Sequence, residues 1–283
     1  MTRRTFLGGA LFSGFTLFCS DSFYLEPYVV ETNEYDIGVR ESTAQQVRLL
    51  QISDLHLREM NSHYCGLAEK VNHLAPDLLL LTGDIIEKER YLSELDSFLG
   101  LIRHDIRKVA VTGNWEHMKG INLTRLRDIY GRNNGELLIN EAQEFLFGGK
   151  RLVVTGIDDM LSGRPDFPAA VKLLGPPDNH IVLCHCPQYR DVIARTADLM
   201  NQNRPDDEKT RVDYVFAGHT HGGQVNIFGY APVLPPGSGR YVRGWYWGTG
   251  PNLFVSKGVG TSSVFPVRLG ARAEITLFNY GLV

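Results

Sequence analysis

The sequence predicts an α/β protein, because buried strands and amphipathic helices alternate along most of the chain. Five short apolar runs have the length and composition of buried parallel strands. Each run ends at a motif rich in Asp, His or Asn, and strands that alternate with helices favour a sheet covered by helices. The five motifs are Asp54-x-His56, Gly83-Asp84, Gly113-Asn114-Trp115-Glu116-His117, His185, and Gly218-His219-Thr220-His221.

Four segments between the apolar runs have the residue spacing of amphipathic helices, with apolar side chains recurring every three or four positions. After Gly222 the chain changes to short β-like runs separated by Pro and Gly and rich in aromatic residues, which predicts a β-rich end. The polar stretch Asn201–Arg211 predicts a surface loop. The four predicted helices are Cys65–Leu74, Leu92–Ile102, Leu123–Tyr130 and a segment from Pro187 to about Met200.

The composition is that of a globular enzyme. Of the 283 residues, 43% are hydrophobic and 22% are charged, which is ordinary for a folded domain. The net charge of −3 offers no basic footprint for a nucleic acid, so we expect no such partner. No polar or Pro- and Gly-rich linker separates the motifs, and we therefore expect one domain over residues 46–283.

The five motifs predict a metal site. In open α/β sheets, ligands bind in the crevice at the carboxyl ends of the strands, and every motif follows a predicted strand. Carboxylate, amide and imidazole groups at one sheet edge suit a pair of divalent metal ions. Any one of these residues alone is explained as well by a strand-end cap or a buried polar side chain. The ligand set lacks thiolates, which favours Mn²⁺, Fe or Zn²⁺ over a structural zinc.

The ordered motifs resemble those of the calcineurin-like metallophosphoesterases over roughly residues 46–280. The GHTHGGQ stretch at Gly218–Gln224 is similar to a membrane-associated bacterial branch that includes relatives of the UDP-2,3-diacylglucosamine diphosphatases. This resemblance implies a sandwich of two mixed β-sheets flanked by helices. It also implies a bimetal hydrolase of phosphoester or phosphoanhydride bonds.

The resemblance implies a role for each metal ligand. Asp54, His56 and His221 are expected to hold one ion. Asn114, His185 and His219 are expected to hold the second, and the two oxygens of Asp84 to bridge both ions. The two cysteines beside His185 are not expected to be ligands, because neighbouring residues of a strand point to opposite faces. They are Cys184 and Cys186.

The chain departs from the resembling family at one position. The family motif Gly-Asn-His-Asp/Glu carries a histidine that contacts the phosphate and protonates the leaving oxygen, whereas Trp115 stands there in this sequence. His117 is one candidate to supply that imidazole, with Glu116 orienting it, and the alternative is that His117 lies unused at the surface. A missing general acid matters least for a leaving group that is already a stable anion, which favours a phosphoanhydride or an activated diester.

Substrate contacts outside the metal site are expected in Pro232–Trp247. Arg240 and Arg243 are candidates for a second phosphate, because guanidinium binds phosphate oxygens bidentately, and Trp115 is a further candidate. The aromatic residues of this segment suit acyl chains, a base or a membrane interface. The alternative is a β-hairpin whose aromatic residues belong half to the core and half to the surface.

The first 25 residues resemble a twin-arginine export signal. Arg3 and Arg4 precede Phe6-Leu7 and an uncharged apolar run to Cys19. The run is shorter than the roughly 20 residues of a spanning helix, and no clear cleavage site follows it. We therefore expect membrane association at the extracytoplasmic face, with the cytoplasmic membrane face as the alternative. Phe18 stands where a lipoprotein signal has a small residue, which argues against lipidation of Cys19.

Three functions remain open at this point. The leading hypothesis is a membrane-associated phosphoesterase that acts on a lipid-linked or nucleotide-sugar-lipid phosphate. The second is a soluble phosphodiesterase or phosphomonoesterase for small nucleotides or head groups. The third, suggested by Trp115 alone, is a metal-binding protein with vestigial catalysis, and the complete ligand set argues against it. The sequence leaves the oligomeric state undetermined.

Overall fold

The structure is a computed structural model, and it describes residues 29–39, 45–175, 177–226, 230–261 and 267–283. The expected signal or anchor at residues 1–25 lies outside the described residues. In the described part of the chain, no helix has both the length and the apolar character needed to cross a membrane.

The first sheet carries three of the predicted strands side by side. It has the order β1-β12-β2-β3-β4-β5. β2, β3, β4 and β5 run parallel, β12 is antiparallel to β2, and β1 is parallel to β12. The strands are β1 (Glu31–Gly38), β2 (Gln45–Ile52), β3 (Leu78–Thr82), β4 (Arg107–Val111), β5 (Gly135–Leu137) and β12 (Glu274–Leu282).

The second sheet carries the other two predicted strands and two of the three described strands of the β-rich end. Its order is β10-β11-β9-β8-β7-β6, with β11, β9, β8 and β7 parallel and the outer strands β10 and β6 antiparallel to their neighbours. The strands are β6 (Glu141–Phe147), β7 (Lys150–Gly156), β8 (Asn179–Leu183), β9 (Tyr214–Ala217), β10 (Gly244–Tyr246) and β11 (Asn252–Val255).

Helices cover the outer faces of both sheets. Each of the four predicted helices is present, with ends that differ by at most three residues from the predicted ends. Two further short helices follow β4 and β7, and single 3₁₀ turns occur at Glu89–Tyr91, Asp206–Glu208 and His221–Gly223. The helices are α1 (Ser62–Leu74), α2 (Leu92–Leu101), α3 (Asn114–Met118), α4 (Leu123–Arg132), α5 (Phe167–Val171) and α6 (Tyr189–Asn201).

The core has three layers, which confirms the expected sandwich of two mixed sheets flanked by helices. The middle layer lies between the sheets and contains Leu49, Leu80, Val154 and Phe278. One outer layer lies between the first sheet and helices α1, α2 and α4. The other lies between the second sheet and helices α5 and α6. Strand β3 is buried along its whole length, which explains its continuous apolar sequence.

The described fold includes a strand that precedes the expected domain start at residue 46. Strand β1 precedes that position and pairs with β12 along its whole length, from Glu31 beside Glu274 to Gly38 beside Gly281. Only Ile37 of this strand is buried. Its polar sequence is that of an edge strand, which explains why hydrophobic patterning did not reveal it.

Candidate metal centre

The expected metal ligands follow the carboxyl ends of β2, β3, β4, β8 and β9 and meet where the two sheets come together. Backbone hydrogen bonds join the loops, since Asp54 N donates to Gly83 O at 3.0 Å and Gly218 N donates to His185 O at 3.1 Å. Gly113 and Gly218 allow this close approach, because a Cβ at either position would collide with the carboxylate of Asp84 or Asp54.

Five of the seven expected ligands have the left-handed backbone conformation. Non-glycine residues rarely adopt a positive φ, which costs on the order of 1–3 kcal/mol each and persists mainly at functional sites. The strain turns successive side chains sharply after each strand ends, so that they converge. The φ values are 50° for Asp54, 46° for His56, 52° for Asp84, 74° for His219 and 50° for His221.

The first ligand group consists of Asp54, His56 and His221. Their ligand atoms lie within 4.8 Å of one another, and all three residues are buried. His221 Nε2 is 3.4 Å from Asp54 Oδ1 and 3.3 Å from His56 Nε2. Ser53 Oγ donates to Asp54 Oδ2 at 2.6 Å and leaves Oδ1 to face the imidazoles.

The second ligand group shares Asp54 with the first and adds Asp84 and His185. Asp84 Oδ2 is 3.2 Å from His185 Nε2 and 3.8 Å from His56 Nε2, so this oxygen lies between the two groups. Its other oxygen accepts the Trp115 N–H at 2.8 Å. His219 Nδ1, 3.2 Å from His185 Nε2, extends the second group.

Asn114 completes the second group, and its side chain gives an independent test of the metal assignment. Asn114 is 8% exposed, and its amide nitrogen contacts Met118 Sδ at 3.7 Å. The amide oxygen Oδ1 is buried and has no hydrogen-bond partner in the described structure. An unsatisfied buried acceptor is costly, whereas a metal ion would satisfy it. The residues present therefore fit a pair of oxygen- and nitrogen-ligated cations.

Hydrogen bonds fix the ring nitrogen that each second-group imidazole turns to the site. His185 Nδ1 donates to Thr82 O at 2.9 Å and leaves Nε2 free to bind. His219 Nε2 donates to Pro236 O at 2.6 Å and leaves Nδ1 free. Such backbone contacts orient metal-binding imidazoles and select their tautomer.

The electrostatics of the cluster also suit cations. Burial lowers the pKa of both His219 and His221 to about 4, which keeps these rings neutral and ready to bind a metal. Burial opposes ionisation of Asp54, but the surrounding imidazoles and Ser53 hold the pKa of this carboxyl at about 2. Burial raises the pKa of Asp84, and a cation beside Asp84 would favour its ionised form.

Glu116 does not orient His117, which corrects the expectation from the sequence. Its carboxylate is 2% exposed and accepts backbone N–H groups from the loops that carry the ligands. Glu116 therefore fixes the backbone of those loops. The donors are Gly113 at 2.8 Å and Asp84 at 3.1 Å to Oε2, and Ile85 at 2.8 Å and Ile86 at 3.3 Å to Oε1.

Asp158 is the residue that orients His117. His117 Nε2 lies 2.6 Å from Asp158 Oδ1. The Asp158 carboxylate also accepts the Thr112 hydroxyl at 2.8 Å and the Arg164 N–H at 2.8 Å. The hydrogen bond to Asp158 raises the pKa of His117. Asp158 follows β7 at the same sheet edge as the other motifs, so its position after a strand is a signal that the sequence contains.

Arg268 is a second residue at the site that was not among the predicted site residues. This side chain is fully buried, and its Nη2 lies 3.3 Å from His221 Nδ1. It also donates to the carbonyl oxygens of Gly260 at 2.6 Å, Lys257 at 2.9 Å and Ala271 at 2.8 Å. Its partners are mainly carbonyl oxygens, which leave no pattern in a sequence.

A cavity of about 560 Å³ opens beside the ligands. Asp84, Asn114, His219 and His221 line one side of it. The indole of Trp115 lines the cavity and meets the His56 ring edge to face at 5.3 Å, with Lys119 Nζ 4.3 Å from the indole centroid. His117 is not among the lining residues. The remaining lining residues are Thr220, Gly223, Gln224, Val225, Pro232, Val233 and Pro235.

The structure does not bring Arg240 or Arg243 to this cavity, in contrast to the expectation. Arg240 lies over the Tyr241 ring and lines a separate groove with Arg190 and Asp191. Arg243 Nη1 donates to Gly270 O at 2.6 Å. Within the segment Pro232–Trp247, the cavity is instead lined by the apolar residues at its start.

The two cysteines beside His185 face away from the site, as expected. Cys184 packs in the layer under α5 and α6, and Cys186 Sγ lies 3.3 Å from Asp159 Oδ1. Neither belongs to a ligand group in the described part of the chain.

Comparison with known proteins identifies the family. A family model for calcineurin-like phosphoesterases matches residues 47–223. The chain belongs to the calcineurin-like phosphoesterase family. It is a metal-dependent phosphoester hydrolase, and its two overlapping ligand groups provide for two metal ions.

Two bacterial relatives are similar along nearly the whole chain. An uncharacterized metallophosphoesterase of Bacillus subtilis, YkuE, is 28% identical over 99% of this chain and 97% of its own. Phosphodiesterase YaeI of Escherichia coli is 25% identical over 99% of both chains. Among solved structures, a phosphopantetheinyl hydrolase of Mycobacterium tuberculosis is 14% identical over 77% of this chain and 92% of its own, with a TM-score of 0.47.

Proposed function

We propose that this hydrolase cleaves a phosphodiester or phosphoanhydride in a lipid-linked or nucleotide-sugar-lipid substrate. The observation that carries the proposal is the wall of the cavity beside the metal ligands. Trp115, Val225, Pro232, Val233 and Pro235 give this wall an apolar surface next to a site built for phosphate. A substrate with an apolar group close to its phosphate would match both sides of the cavity.

The ligand groups suggest how the phosphate is held. Asp54, His56 and His221 would bind one ion, and Asn114, His185 and His219 the other, with Asp84 between them. When bound, two such ions lower the pKa of a water molecule and neutralise charge on the phosphoryl oxygens. The protein groups hold these ligands at fixed angles, since Glu116, Thr82 and Pro236 leave their loops little freedom.

This chain differs from the resembling family at the residue that would protonate the leaving group. Trp115 carries no proton that it can donate near neutral pH. The His117 Nε2–H is held by Asp158, so Nδ1 is the ring nitrogen that remains to assist a leaving oxygen. His117 lies one helical turn beyond Asn114, so only an extended substrate would reach it. A phosphoanhydride, whose leaving group is a stable anion, needs no such help.

A membrane surface is the proposed location of the substrate. Val233, which lines the cavity, is 77% exposed, and Met118, which is 64% exposed, contacts the cavity residue Asn114 through its sulfur. Exposed apolar side chains at the mouth of a site suit an interface with lipid. The apolar segment within residues 1–25 would hold the enzyme at the membrane, at the extracytoplasmic face if it acts as a twin-arginine signal. The phosphodiesterase name of the Escherichia coli relative supports the reaction class.

Substrate chain length tests this proposal. Alkyl p-nitrophenyl phosphodiesters with methyl to octyl chains present the same leaving group and differ only in apolar surface. With Mn²⁺ supplied, kcat/KM should rise about two- to fourfold for each methylene that enters the cavity. All measurements should be made below the concentrations at which the octyl ester forms micelles.

Two outcomes would contradict the proposal. Equal kcat/KM for the methyl and octyl esters would favour the alternative of a soluble enzyme for small nucleotides or head groups. A rise with chain length that persists when Val233 is replaced by Asp would place the apolar group outside this cavity. Val233→Ser is the matched control, because it removes apolar surface without adding charge.

A further inference from the structure

One short segment touches both the cavity and a metal ligand. We call Pro232–Gly237 the 232–237 segment. Its start is exposed and lines the cavity through Pro232, Val233 and Pro235. Its end is buried at Gly237 and lies against the loop that carries His185. The two ends are only five residues apart.

The inner end is anchored on both ligand-bearing loops of the second sheet. The Pro236 carbonyl oxygen accepts a hydrogen bond from His219 Nε2–H at 2.6 Å. The Gly237 carbonyl oxygen accepts one from the backbone N–H of Gln188 at 3.0 Å. Gly237 has a φ of +87°, and a Cβ on it would lie 3.0 Å from Cys186 Sγ. This position therefore requires glycine, which lets the segment pack close to Cys186 beside His185.

The outer end has no comparable anchor among the residues that the structure describes. Val233 is 77% exposed and presents its side chain at the cavity mouth. Three of the six residues are proline, which fixes φ and makes the segment stiff. A stiff segment passes a displacement at one end to the other. Contact with Val233 would therefore change the position of the Pro236 carbonyl and of the His219 ring.

We propose that the 232–237 segment couples occupancy of the apolar cavity to the position of His219. An apolar group on Val233 and Pro235 would press the Pro236 carbonyl onto His219 Nε2 and hold Nδ1 toward the second ligand group. The apolar part of a substrate would then strengthen metal binding as well as its own binding. This inference rests on the proposed apolar subsite and adds a positioning role for Pro236 and Gly237.

Phosphonates of two chain lengths test the coupling without any hydrolysis. Methylphosphonate and octylphosphonate offer the same ligand atoms to a metal and differ only in the apolar chain. The dissociation constant of the weaker Mn²⁺ ion is measured by calorimetry at saturating concentrations of each phosphonate. If the segment couples the sites, octylphosphonate should lower that constant at least fivefold more than methylphosphonate, at the lower end of typical coupling.

A matched pair of glycine variants isolates the segment. Gly237→Ala forces the strained φ and the contact with Cys186, so it should weaken binding of the second Mn²⁺ ion and abolish the chain-length effect. Gly149→Ala introduces the same change at a φ of +82° in the β6–β7 hairpin, where nothing lies within 4 Å. This control carries the backbone strain without the contact and should keep both Mn²⁺ affinities and the chain-length effect.

The possible results separate the two proposals. Octylphosphonate that binds no more tightly than methylphosphonate would overturn the apolar subsite, and with it the inference. Tighter binding of octylphosphonate with equal Mn²⁺ affinities in the two complexes would overturn the coupling alone. Loss of coupling in both glycine variants would show that general destabilisation, rather than the Pro236–His219 contact, is responsible.

Discussion

His117 Nε2 and Asp158 Oδ1 lie 2.6 Å apart and join helix α3 to the loop after β7. The hydrogen bond to Asp158 raises the pKa of His117, with Asp159 and Glu116 adding to the same effect. Burial opposes ionisation of Asp158, but hydrogen bonds from His117, Arg164 and Thr112 hold the pKa of this carboxyl at about 2. The pair therefore carries opposite charges across the weakly acidic range.

The first prediction concerns the pH dependence of this pair. The pKa of His117 is raised above the ordinary value of about 6.5. The imidazole is therefore protonated below that ordinary value and loses its proton as the pH rises through the raised pKa. If His117 assists the leaving group, kcat on an alkyl phosphodiester should fall through that raised pKa. In Asp158→Asn the falling limb should move down toward about pH 6.5. If the decrease in kcat occurs at the same pH in Asp158→Asn as in the unchanged enzyme, another group is responsible for it.

The second prediction tests His117 itself. His117→Ala should slow hydrolysis of a diester with an alkoxide leaving group by about 10²- to 10⁴-fold, the usual contribution of a general acid. It should slow an activated aryl ester far less, because that leaving group needs no proton. Both rates are measured with the same Mn²⁺ concentration. Equal, small losses on the two substrates would show that His117 is not used and would strengthen the case for an anhydride substrate.

The third prediction concerns Glu116, which holds four backbone N–H groups. Glu116→Ala leaves these donors buried without an acceptor, so we expect it to lower the free energy of unfolding by about 2–4 kcal/mol. Glu116→Gln should lose less stability, because the amide oxygen of glutamine still accepts hydrogen bonds from some of these N–H groups. The measurement is urea unfolding of the metal-free protein. Glu144→Ala, at an exposed ion pair with Arg151, is the control and should change stability by less than about 1 kcal/mol. A similar loss of stability in Glu116→Ala and Glu144→Ala would contradict the role of Glu116 in fixing the backbone of the loops.

The metal ligands were predictable from the sequence because each one lies within a few residues of a buried strand end. Asp54, Asp84 and His185 follow apolar runs, and the carboxyl ends of parallel strands meet at one edge. The partners of those ligands were not predictable. Pro236 contributes a backbone carbonyl, and Arg268 binds mainly to carbonyl oxygens. Such contacts depend on the path of the backbone, which residue types do not encode.

The roles of Glu116 and β1 were also hidden in the sequence. Glu116 stands beside His117 in the motif, but the helical turn of α3 directs it toward Asp84 and Ile85. Strand β1 is polar along most of its length, as is usual for an edge strand. It pairs with β12, some 240 positions further along the chain. Asn33 Nδ2 of β1 donates to Glu274 Oε2 of β12. Hydrophobic patterning detects buried faces and does not detect exposed edges.

The fourth prediction tests the bimetal site. Asp84 Oδ2 faces both His185 and His56, so Asp84→Ala should reduce the metal content from two ions per chain to less than one and abolish activity. Elemental analysis of protein loaded with Mn²⁺ gives the metal content. Glu69→Ala, an exposed carboxylate on α1, is the control and should retain both ions. A fully active Asp84→Ala enzyme would rule out a mechanism that depends on two metal ions.

The fifth prediction concerns residues 1–25, which precede the first strand of the described fold at Glu31. If they serve only export or membrane attachment, their deletion should change the free energy of unfolding by no more than about 0.5 kcal/mol. Activity on a soluble diester should stay the same, while binding to lipid vesicles should be lost. Thermal unfolding and vesicle sedimentation measure the two effects. Unfolding of the truncated protein would show that this segment belongs to the fold, and unchanged vesicle binding would place the membrane contact at the cavity mouth around Val233.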